Sequence, residues 1–368
     1  MTAIGLFPST LLNGRERNDE DHVMFQPNFK YTNKIVKNLT LISEARAIVL
    51  SSPLIPKWEI SLRRDALIRS AHSSTAIEGN PLSLDEVGAL ASGRDIMVRR
   101  KDKQEVLNYI EALEKVPEFA GREPFLSKDL LEIHKIVTRD TLDDSGDEGA
   151  FRNRQVIVGN RRTGEVIFMP PPTELVPEFT DNFFAWVNSS DVNEIDSVIE
   201  AGITHYEIVR IHPFIDGNGR TARIMAAILL FKRGFDVKRF FALDDYYDLD
   251  RRAYYAALRT VDPASIDITA WLEYFTSGVA VSIEAVRKKV IGLSKDIKAL
   301  KDKGQIALTE RQMKIVERIV EKGRITNREI REMFELSDEA VRKEIAKLMK
   351  YGVLKGKGKG RAVYYVLA

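Results

Sequence analysis

The sequence predicts a mainly α-helical protein with one β-hairpin in its main part and a small basic domain at its end. Apolar residues recur at spacings of three and four along much of the 368-residue chain, and capping residues mark where several helices begin. In the first two thirds, residues 155–168 carry two β-branched runs around Gly-Asn and Thr-Gly turn residues, which predicts a hairpin. A hydrophobic content of 44% is enough for two or three domains with cores of their own.

The composition favours a cytoplasmic protein without a membrane segment. No stretch approaches the roughly 18 uninterrupted apolar residues of a spanning helix, and the first residues lack a basic start followed by a long apolar run. We therefore expect neither membrane insertion nor secretion. The chain has no cysteine, which excludes disulfides and cysteine nucleophiles and agrees with a reducing compartment.

Four regions follow one another in the predicted organisation. The first, residues 1–110, is helical and includes a helix whose start is marked by the capping-box spacing of Ser83 and Glu86. The other three are a helical core over residues 111–278, a connector helix over residues 279–304 and a small domain over residues 305–368.

The stretch IHPFIDGNGRTARI, residues 211–224, joins two helices of the core. Helical spacing of apolar residues precedes it over residues 199–206 and follows it over residues 224–231, where Gly234 suits a helix end. The stretch is therefore predicted to be a loop, and the second helix to begin between Gly217 and Arg220.

The connector and the last region also have clear periodic signals. Apolar residues from Val279 to Leu300 alternate steps of four and three, which predicts a helix that packs either on its own chain or between the subunits of a homodimer. Capping signals at Thr309, Thr326 and Ser337 predict three helices, and a Gly-Lys repeat between two apolar runs predicts a hairpin. Three helices followed by a basic hairpin resemble a winged helix-turn-helix.

The loop at residues 212–223 concentrates groups that suit a polyphosphate. Gly217 and Gly219 let the backbone of a helix N-terminus approach a phosphate, and Asn218 adds a side-chain amide. Arg220 and Arg223 lie three apart, so both can reach oxygens of one ligand. The loop lacks the strand and the Gly-Lys-Ser/Thr of a P-loop, which excludes that type of site.

Two further side chains complete this predicted site. Asp216 offers the hard oxygen that a Mg²⁺ ion bridging phosphates prefers. His212 precedes it by one helical turn and can take a proton from a hydroxyl that attacks a phosphorus. The chemistry that these groups suit is transfer of part of a nucleotide onto a hydroxyl.

The same stretch resembles the signature of one protein family. HPFIDGNGRTAR matches His-Pro-Phe-x-Asp/Glu-Gly-Asn-Gly-Arg-x-x-Arg of the Fic (Fic/Doc) family at every fixed position, and the wider resemblance covers about residues 27–277. It implies an all-helical Fic core and, for most members, transfer of AMP from ATP to a hydroxyl side chain of a target protein with Mg²⁺. Carried over to this chain, the general base is His212, the metal ligand is Asp216, the anion hole is Gly217, Asn218 and Gly219, and the phosphate arginines are Arg220 and Arg223.

Two other stretches extend the resemblance. The hairpin resembles the Fic flap, which binds the target segment by strand addition. The flap residues expected to bind the target are Gln155, Val156, Ile157 and Val158. In RRAYYAAL, Tyr254 and Tyr255 resemble a tyrosine pair that some Fic proteins place near adenine, although ordinary helix core is an equal alternative.

SSTAIEGN, residues 73–80, resembles the Fic inhibitory motif Ser/Thr-x-x-x-Glu-Gly/Asn at Ser74, Glu78 and Gly79. The resemblance implies that Glu78 ends a helix and points its carboxylate at Arg223, where the γ-phosphate of ATP should bind. The alternative is a surface glutamate before a helix-ending glycine.

The last region is strongly basic. Residues 305–368 carry 15 Lys and Arg against nine Asp and Glu, although the whole chain has a net charge of only +2. The partner could be duplex DNA, but winged helices also bind proteins or form dimers. The basic residues of the third helix and hairpin are Arg342, Lys343, Lys347, Lys350, Lys355, Lys357, Lys359 and Arg361.

The leading hypothesis is an auto-inhibited protein adenylyltransferase that uses ATP and Mg²⁺ and also modifies itself. One alternative is a DNA-binding regulator with a nucleotide-sensing core, but a sensor would not need the base His212. Another alternative is an enzyme with the same site residues and a different reaction. That reaction would be removal of AMP, with Glu78 orienting a water, or transfer of another phosphate-bearing group. The sequence does not identify the target protein.

Overall fold

The computed structural model describes residues 25–52, 54, 56–159, 166–235, 239–261, 265–301, 309–350, 353–358 and 363–367. Helices dominate these residues, so the predicted mainly α fold class is confirmed. None of the helices in these ranges is both long and apolar enough to cross a membrane. The helices are α1 (Asn33–Ser51), α2 (Pro56–Ile77), α3 (Leu84–Ala91), α4 (Arg100–Glu114), α5 (Val116–Ala120), α6 (Ser127–Thr138), α7 (Val176–Val187), α8 (Ser197–Ile211), α9 (Asn218–Lys232), α10 (Asp244–Leu249), α11 (Arg251–Leu258), α12 (Thr269–Lys301), α13 (Glu310–Lys322), α14 (Asn327–Phe334) and α15 (Asp338–Lys350).

Two compact units make up the chain. The first comprises Met1–Ser43, Leu67–Asp236 and Ala242–Ser282, and the second comprises Glu44–Ala66, Val237–Phe241 and Ile283–Ala368. Both are discontinuous in sequence, and the linear domain ranges given above remain a prediction.

Helix α8 lies at the centre of the first unit. Its residues from Val198 to Ile208 are buried, and α9 packs along it after the loop that residues 212–217 form. Trp271 of α12 is fully buried and donates a hydrogen bond from Nε1 to the carbonyl of Gly202 at 2.8 Å. Because α8 is enclosed, the loop at its end has a fixed base on which a site can be built.

The predicted hairpin is present. Strands β1 (Val158–Gly159) and β2 (Val166–Phe168) pair antiparallel, with Val158 opposite Phe168. The turn residues 160–165 lie outside the described residues.

The end of the chain folds as three helices and a hairpin, as predicted. Thr309 and Thr326 form capping boxes with Gln312 and Glu329, and the Ser337 hydroxyl accepts a hydrogen bond from the Ala340 N–H at 3.3 Å. Strands β3 (Leu354–Lys357) and β4 (Tyr364–Leu367) pair antiparallel. The buried core of this part, with Ile60 of α2 packed against it, is Ile315, Val316, Ile319, Ile325, Ile330, Val341, Ile345, Leu348, Val353 and Leu354.

The apolar residues spaced four and three apart from Val279 onward lie on a helix that is longer than the predicted connector. Helix α12 starts at Thr269, ten residues before the predicted start, because residues 269–278 already pack as helix in the first unit. Val279, Ile283, Val286 and Val290 are buried within this single chain. Their burial favours the connector interpretation over a seam kept for a second subunit.

The close approach of α8 and α12 generates a stability prediction. A β-carbon at Gly202 would lie 2.7 Å from Leu272 Cδ2 and 3.0 Å from Phe275 Cδ1, and both side chains are fully buried. Overpacking costs about 1–3 kcal/mol, which outweighs the roughly 1 kcal/mol that alanine gains over glycine in a helix. We expect Gly202→Ala to lower the free energy of unfolding by about 1–2 kcal/mol, measured by urea denaturation.

The matched control is Gly88→Ala on α3 of the same unit. Its β-carbon would meet Ile68 at ordinary distances of 3.9 and 4.0 Å. This variant should be as stable as the parent chain or more stable by up to about 1 kcal/mol. Equal effects of the two substitutions would contradict the packing argument.

Candidate active site

His212 ends α8 in a left-handed backbone conformation. Its φ is 51°, which is uncommon for a residue with a side chain, and its N–H donates to the Ile208 carbonyl at 2.9 Å. The carbonyl of His212 accepts a hydrogen bond from Nε of buried Arg152 at 2.9 Å. The chain is therefore turned sharply at His212, and the turn is held from both sides of the residue.

The imidazole of His212 is set up as a neutral base. Nδ1 lies 3.3 Å from the Val209 carbonyl, and because a carbonyl can only accept, we assign the hydrogen to Nδ1 and leave Nε2 unprotonated. Burial and the nearby charge of Arg152 lower the pKa of His212, and together they outweigh the opposing effects of the Val209 carbonyl, Glu78 and Asp216. A neutral ring with a free Nε2 can accept a proton near neutral pH.

The glycine turn before α9 is tightly enclosed. Gly217 has φ of 79°, and a β-carbon there would lie 2.6 Å from Thr138 Cγ2, so both conformation and space require glycine. The Asn218 side chain accepts from the Phe214 N–H at 3.0 Å and donates to the Phe214 carbonyl at 2.9 Å. The amide thus closes the turn, and its contribution to an anion stays a prediction. The turn also offers an anion the backbone N–H groups at the start of α9.

His134 of α6 supports the turn, a role that sequence reasoning missed. Its ring stacks on Phe214 with centroids 3.6 Å apart, and Nε2 lies 2.9 Å from the Asp216 carbonyl. Nδ1 accepts from the Gly149 N–H at 3.0 Å, so Nε2 carries the hydrogen and donates to Asp216. Burial lowers the pKa of His134 to about 4, which keeps the ring neutral in this role.

Both arginines of the loop are buried. Arg220 lies 3.8 Å from Glu105 and 3.6 Å from Asp216, yet its Nε and Nη1 have no hydrogen-bond partner within the part of the chain that the structure describes. Nη1 of Arg223 is likewise without one in these ranges. Buried donors without acceptors are costly, so these guanidinium groups have the character of an anion site.

Glu78 meets Arg223 directly. It follows the last residue of α2, and its Oε1 accepts a hydrogen bond from Arg223 Nη2 at 2.8 Å. Ser74 accepts from the same guanidinium, through its hydroxyl at 2.6 Å and its carbonyl at 3.0 Å. Glu78 Oε1 also lies against Gly219, where it would overlap any added β-carbon. The Glu78 carboxylate therefore occupies space at the start of α9, and Gly79, with φ of 97°, ends the segment.

Other charges and rings adjust the electrostatics of Arg223. Burial acts to lower its pKa, but Glu78, Tyr254, Tyr109 and Asp244 raise it more, and the net pKa is well above the ordinary value. Arg223 is thus a permanent cation in a nearly solvent-free environment.

The two predicted tyrosines lie in different surroundings. Tyr254 is buried, its ring stacks on Tyr247, and its hydroxyl lies 2.8 Å from His205 Nε2. Tyr255 is 41% exposed, and burial of the remainder raises its pKa to about 12. Tyr254 thus packs in the core and Tyr255 is partly exposed, and a contact of either ring with adenine remains a prediction.

Asp216 fits the predicted metal-binding role only in combination with a nucleotide. Its side chain is 56% exposed and accepts from the Gly217 N–H at 2.5 Å. The described ranges contain no group of three or more His, Cys, Asp or Glu that could hold a metal ion. Mg²⁺ commonly uses one or two carboxylates together with phosphate oxygens and water, so a single exposed carboxylate beside a phosphate site is a suitable donor set.

The flap is anchored to the same frame. Arg152 donates from Nη1 to Thr173 Oγ1 at 2.6 Å and from Nη2 to the Pro171 carbonyl at 2.5 Å, beyond its bond to His212. Gln155 Nε2 donates to the Pro170 carbonyl at 3.0 Å, and Ile157 is 56% exposed. One buried arginine, which sequence reasoning missed, thus joins the predicted base to the root of the predicted flap.

Comparison with known proteins identifies two domains in the chain. Residues 124–230 match the model of the Fic/DOC family, and residues 308–355 match a winged helix-turn-helix DNA-binding model. The chain therefore contains a Fic domain followed by a winged helix-turn-helix domain, and the predicted resemblance is confirmed.

Several relatives share this domain. The protein adenylyltransferase Fic of Nematostella vectensis is 30% identical over 218 residues, 56% of this chain and 48% of that protein. The protein adenylyltransferase fic-1 of Caenorhabditis elegans is 28% identical over 276 residues, 72% of this chain and 49% of that protein. The chain spans about half the length of these curated relatives.

Solved structures show a similar fold. A Fic family protein from Desulfovibrio desulfuricans G20 superposes with a TM-score of 0.61 at 22% identity, over 94% of this chain and 98% of that one. Fic-1 of Caenorhabditis elegans, residues 134–508, has a TM-score of 0.56 at 26% identity, over 71% of this chain and 73% of that one.

Proposed function

We propose that this chain is a protein adenylyltransferase that moves AMP from ATP onto a hydroxyl of a protein, including itself, and that Glu78 restrains it. The observation that carries the proposal is the neutral His212 in the loop just before a helix whose two buried arginines retain donors without a partner among the described residues. Relatives that share the domain are named protein adenylyltransferases, which supports the same reaction class.

ATP binds with its phosphates at the start of α9. The backbone N–H groups there and the guanidinium groups of Arg220 and Arg223 hold the phosphate oxygens. Asp216 would hold Mg²⁺, whose charge would offset that of the phosphates. These contacts position the α-phosphorus and stabilise charge, which is where most catalysis of phosphoryl and nucleotidyl transfer originates.

The acceptor hydroxyl lies between His212 and the α-phosphorus. As its oxygen bonds to phosphorus, Nε2 of His212 takes the hydroxyl proton, the bond from the α-phosphorus to the bridging oxygen breaks, and pyrophosphate leaves. The target segment pairs with the exposed edge of the flap that contains Val156 and Ile157, which brings its hydroxyl to the base.

Glu78 opposes this arrangement. Its carboxylate takes Arg223 Nη2 and the space above Gly219, both of which the terminal phosphate of a productively bound ATP needs. ATP that enters with Glu78 in place is therefore held in a geometry unsuited to transfer.

His212→Ala tests the base. We expect AMP transfer to fall by about 10²–10⁴-fold because proton removal is lost. ATP affinity should stay the same because the groups proposed to bind the phosphates are intact. Transfer is measured as AMP addition by mass spectrometry after incubation with ATP and Mg²⁺, and affinity by calorimetry. Undiminished labelling would exclude His212 as the base.

Glu78→Gly tests the restraint. Release of Arg223 should raise AMP transfer at least about tenfold, a change that requires only about 1.4 kcal/mol. Arg223→Ala in the Glu78→Gly background should cancel the gain, because the released cation no longer exists.

Two results would count against the restraint: unchanged transfer in Glu78→Gly, or a gain that survives Arg223→Ala. A third result would favour the alternative reaction. If addition stays flat while removal of AMP from a modified protein is lost, Glu78 orients a water for hydrolysis.

A second function, DNA binding, is favoured by the last domain. It matches a winged helix-turn-helix DNA-binding model, and the basic residues of α15 point to solvent. Those residues are Arg342, Lys343, Lys347 and Lys350, and on β3 Lys355 and Lys357 are also exposed. The predicted wing residues Lys359 and Arg361 lie outside the described residues. Exposed cations along a recognition helix suit phosphate contacts in and beside a groove.

The full chain should bind duplex DNA with an affinity that falls as salt rises. Arg342→Ala with Lys347→Ala should weaken binding and reduce the slope of log K against log salt by roughly two, about 0.9 for each lost phosphate contact. Lys288→Ala, an exposed lysine on α12, is the control and should change neither. Binding that is absent at low salt or insensitive to salt would favour a protein partner instead.

A further inference from the structure

Arg223 presents two different edges to its surroundings. The Nη edge faces the proposed phosphate site at the start of α9. There Nη2 donates to Glu78, and Nη1 has no partner among the described residues. The Nε group instead meets Ser74 Oγ at 2.6 Å and Asp244 Oδ1 at 3.5 Å. Arg223 thus has a second carboxylate, which meets Nε and not the Nη groups that lie by Glu78 and Gly219.

Asp244 is built firmly into this position. It is the first residue of α10 and is 7% exposed. The hydroxyl of Tyr109, a fully buried residue of α4, donates to its Oδ1 at 3.1 Å, and Ser70 of α2 donates a further hydrogen bond. Three separate helices therefore fix the carboxylate that pairs with Arg223.

The ion pair between Arg223 and Asp244 becomes important when Glu78 moves away from Arg223. A buried cation that loses its counter-ion is strongly destabilised and must move, be hydrated or find another partner. Asp244 remains within ion-pair distance of Nε, so Arg223 keeps both a counter-charge and an orientation. With Nε held by Asp244, Nη1 and Nη2 stay directed at the proposed phosphate site.

We propose that Asp244 is a positioning residue that holds Arg223 ready for the terminal phosphates of ATP once Glu78 has left. This inference rests on the proposed function of the same site, since it assigns Arg223 to the phosphates. Asp244 acts through Arg223 and does not itself touch the nucleotide.

The neighbouring Asp245 provides a matched control. Its carboxylate accepts from Ser73 Oγ at 2.7 Å and from Arg69 Nε at 2.5 Å, both on α2, and so ties α10 to the helix that carries Glu78. Asp245 lies on the same short helix as Asp244 and also contacts α2. The difference that makes it a control is that Arg223 pairs with Asp244.

The test measures nucleotide binding in a chain that cannot turn over. In the Glu78→Gly, His212→Ala background, Asp244→Asn should weaken ATP binding by about tenfold or more, measured by calorimetry with Mg²⁺. AMP lacks the terminal phosphates, so its affinity should change less than about twofold. Asp245→Asn should leave the ratio of ATP to AMP affinity unchanged.

Further variants separate positioning from simple stability. Arg223→Ala should remove the effect of Asp244→Asn, because a positioning residue has nothing left to position. In Glu78→Gly with His212 intact, Asp244→Asn should raise KM for ATP more than it lowers kcat. If Asp244→Asn does not fold, Tyr109→Phe, which removes one hydrogen bond to Asp244, should produce a smaller loss with the same preference for ATP over AMP.

The outcomes are decisive in both directions. Equal loss of ATP and AMP affinity, no loss of either, or full additivity with Arg223→Ala would overturn the positioning role. The binding measurement does not require AMP transfer. If Glu78→Gly transferred no AMP while ATP affinity still depended on Asp244, the proposed reaction would fail and the positioning role would stand.

Discussion

The rest of the site depends on the buried positive charge of Arg223. A buried guanidinium must be paired, and that of Arg223 meets Glu78 through Nη2 and both Ser74 and Asp244 through Nε. The cation that we propose to bind phosphate is thus also the partner of Glu78. In the proposed function, activity and restraint therefore compete for one charge.

A rigid frame surrounds this competition. The left-handed turn at His212 is held by Arg152, and the glycine turn is held by neutral His134 and by Asn218. These contacts satisfy backbone groups that a loop at a helix junction would otherwise leave unpaired. The Glu78 side chain is 31% exposed, whereas Arg223 is buried. Of the two partners, Glu78 is therefore the one that can leave at lower cost.

The chain joins two kinds of chemistry. In the first unit, Arg220 and Arg223 are buried at the proposed phosphate site, where desolvation strengthens each contact. The last domain has its own apolar core and keeps its basic residues on the surface, where charge acts over longer distances and is screened by salt. The net charge of the whole chain conceals this division.

Local signals in the sequence determined much of the fold. Capping boxes at Ser83, Thr309 and Thr326, helical periodicity and turn residues each depend on neighbours within a few positions, so the helices, the hairpin and the loop after α8 were predictable. The motif resemblance also anticipated the contact of Glu78 with Arg223, which spans 145 positions. The tertiary structure alone decided which other residues support the site. These residues, which carry no local signal, are His134, Arg152, Tyr109 and Asp244. It also placed Tyr254 in the core and Tyr255 partly in solvent, because adjacent helical residues point about 100° apart and only packing decides which direction is inside.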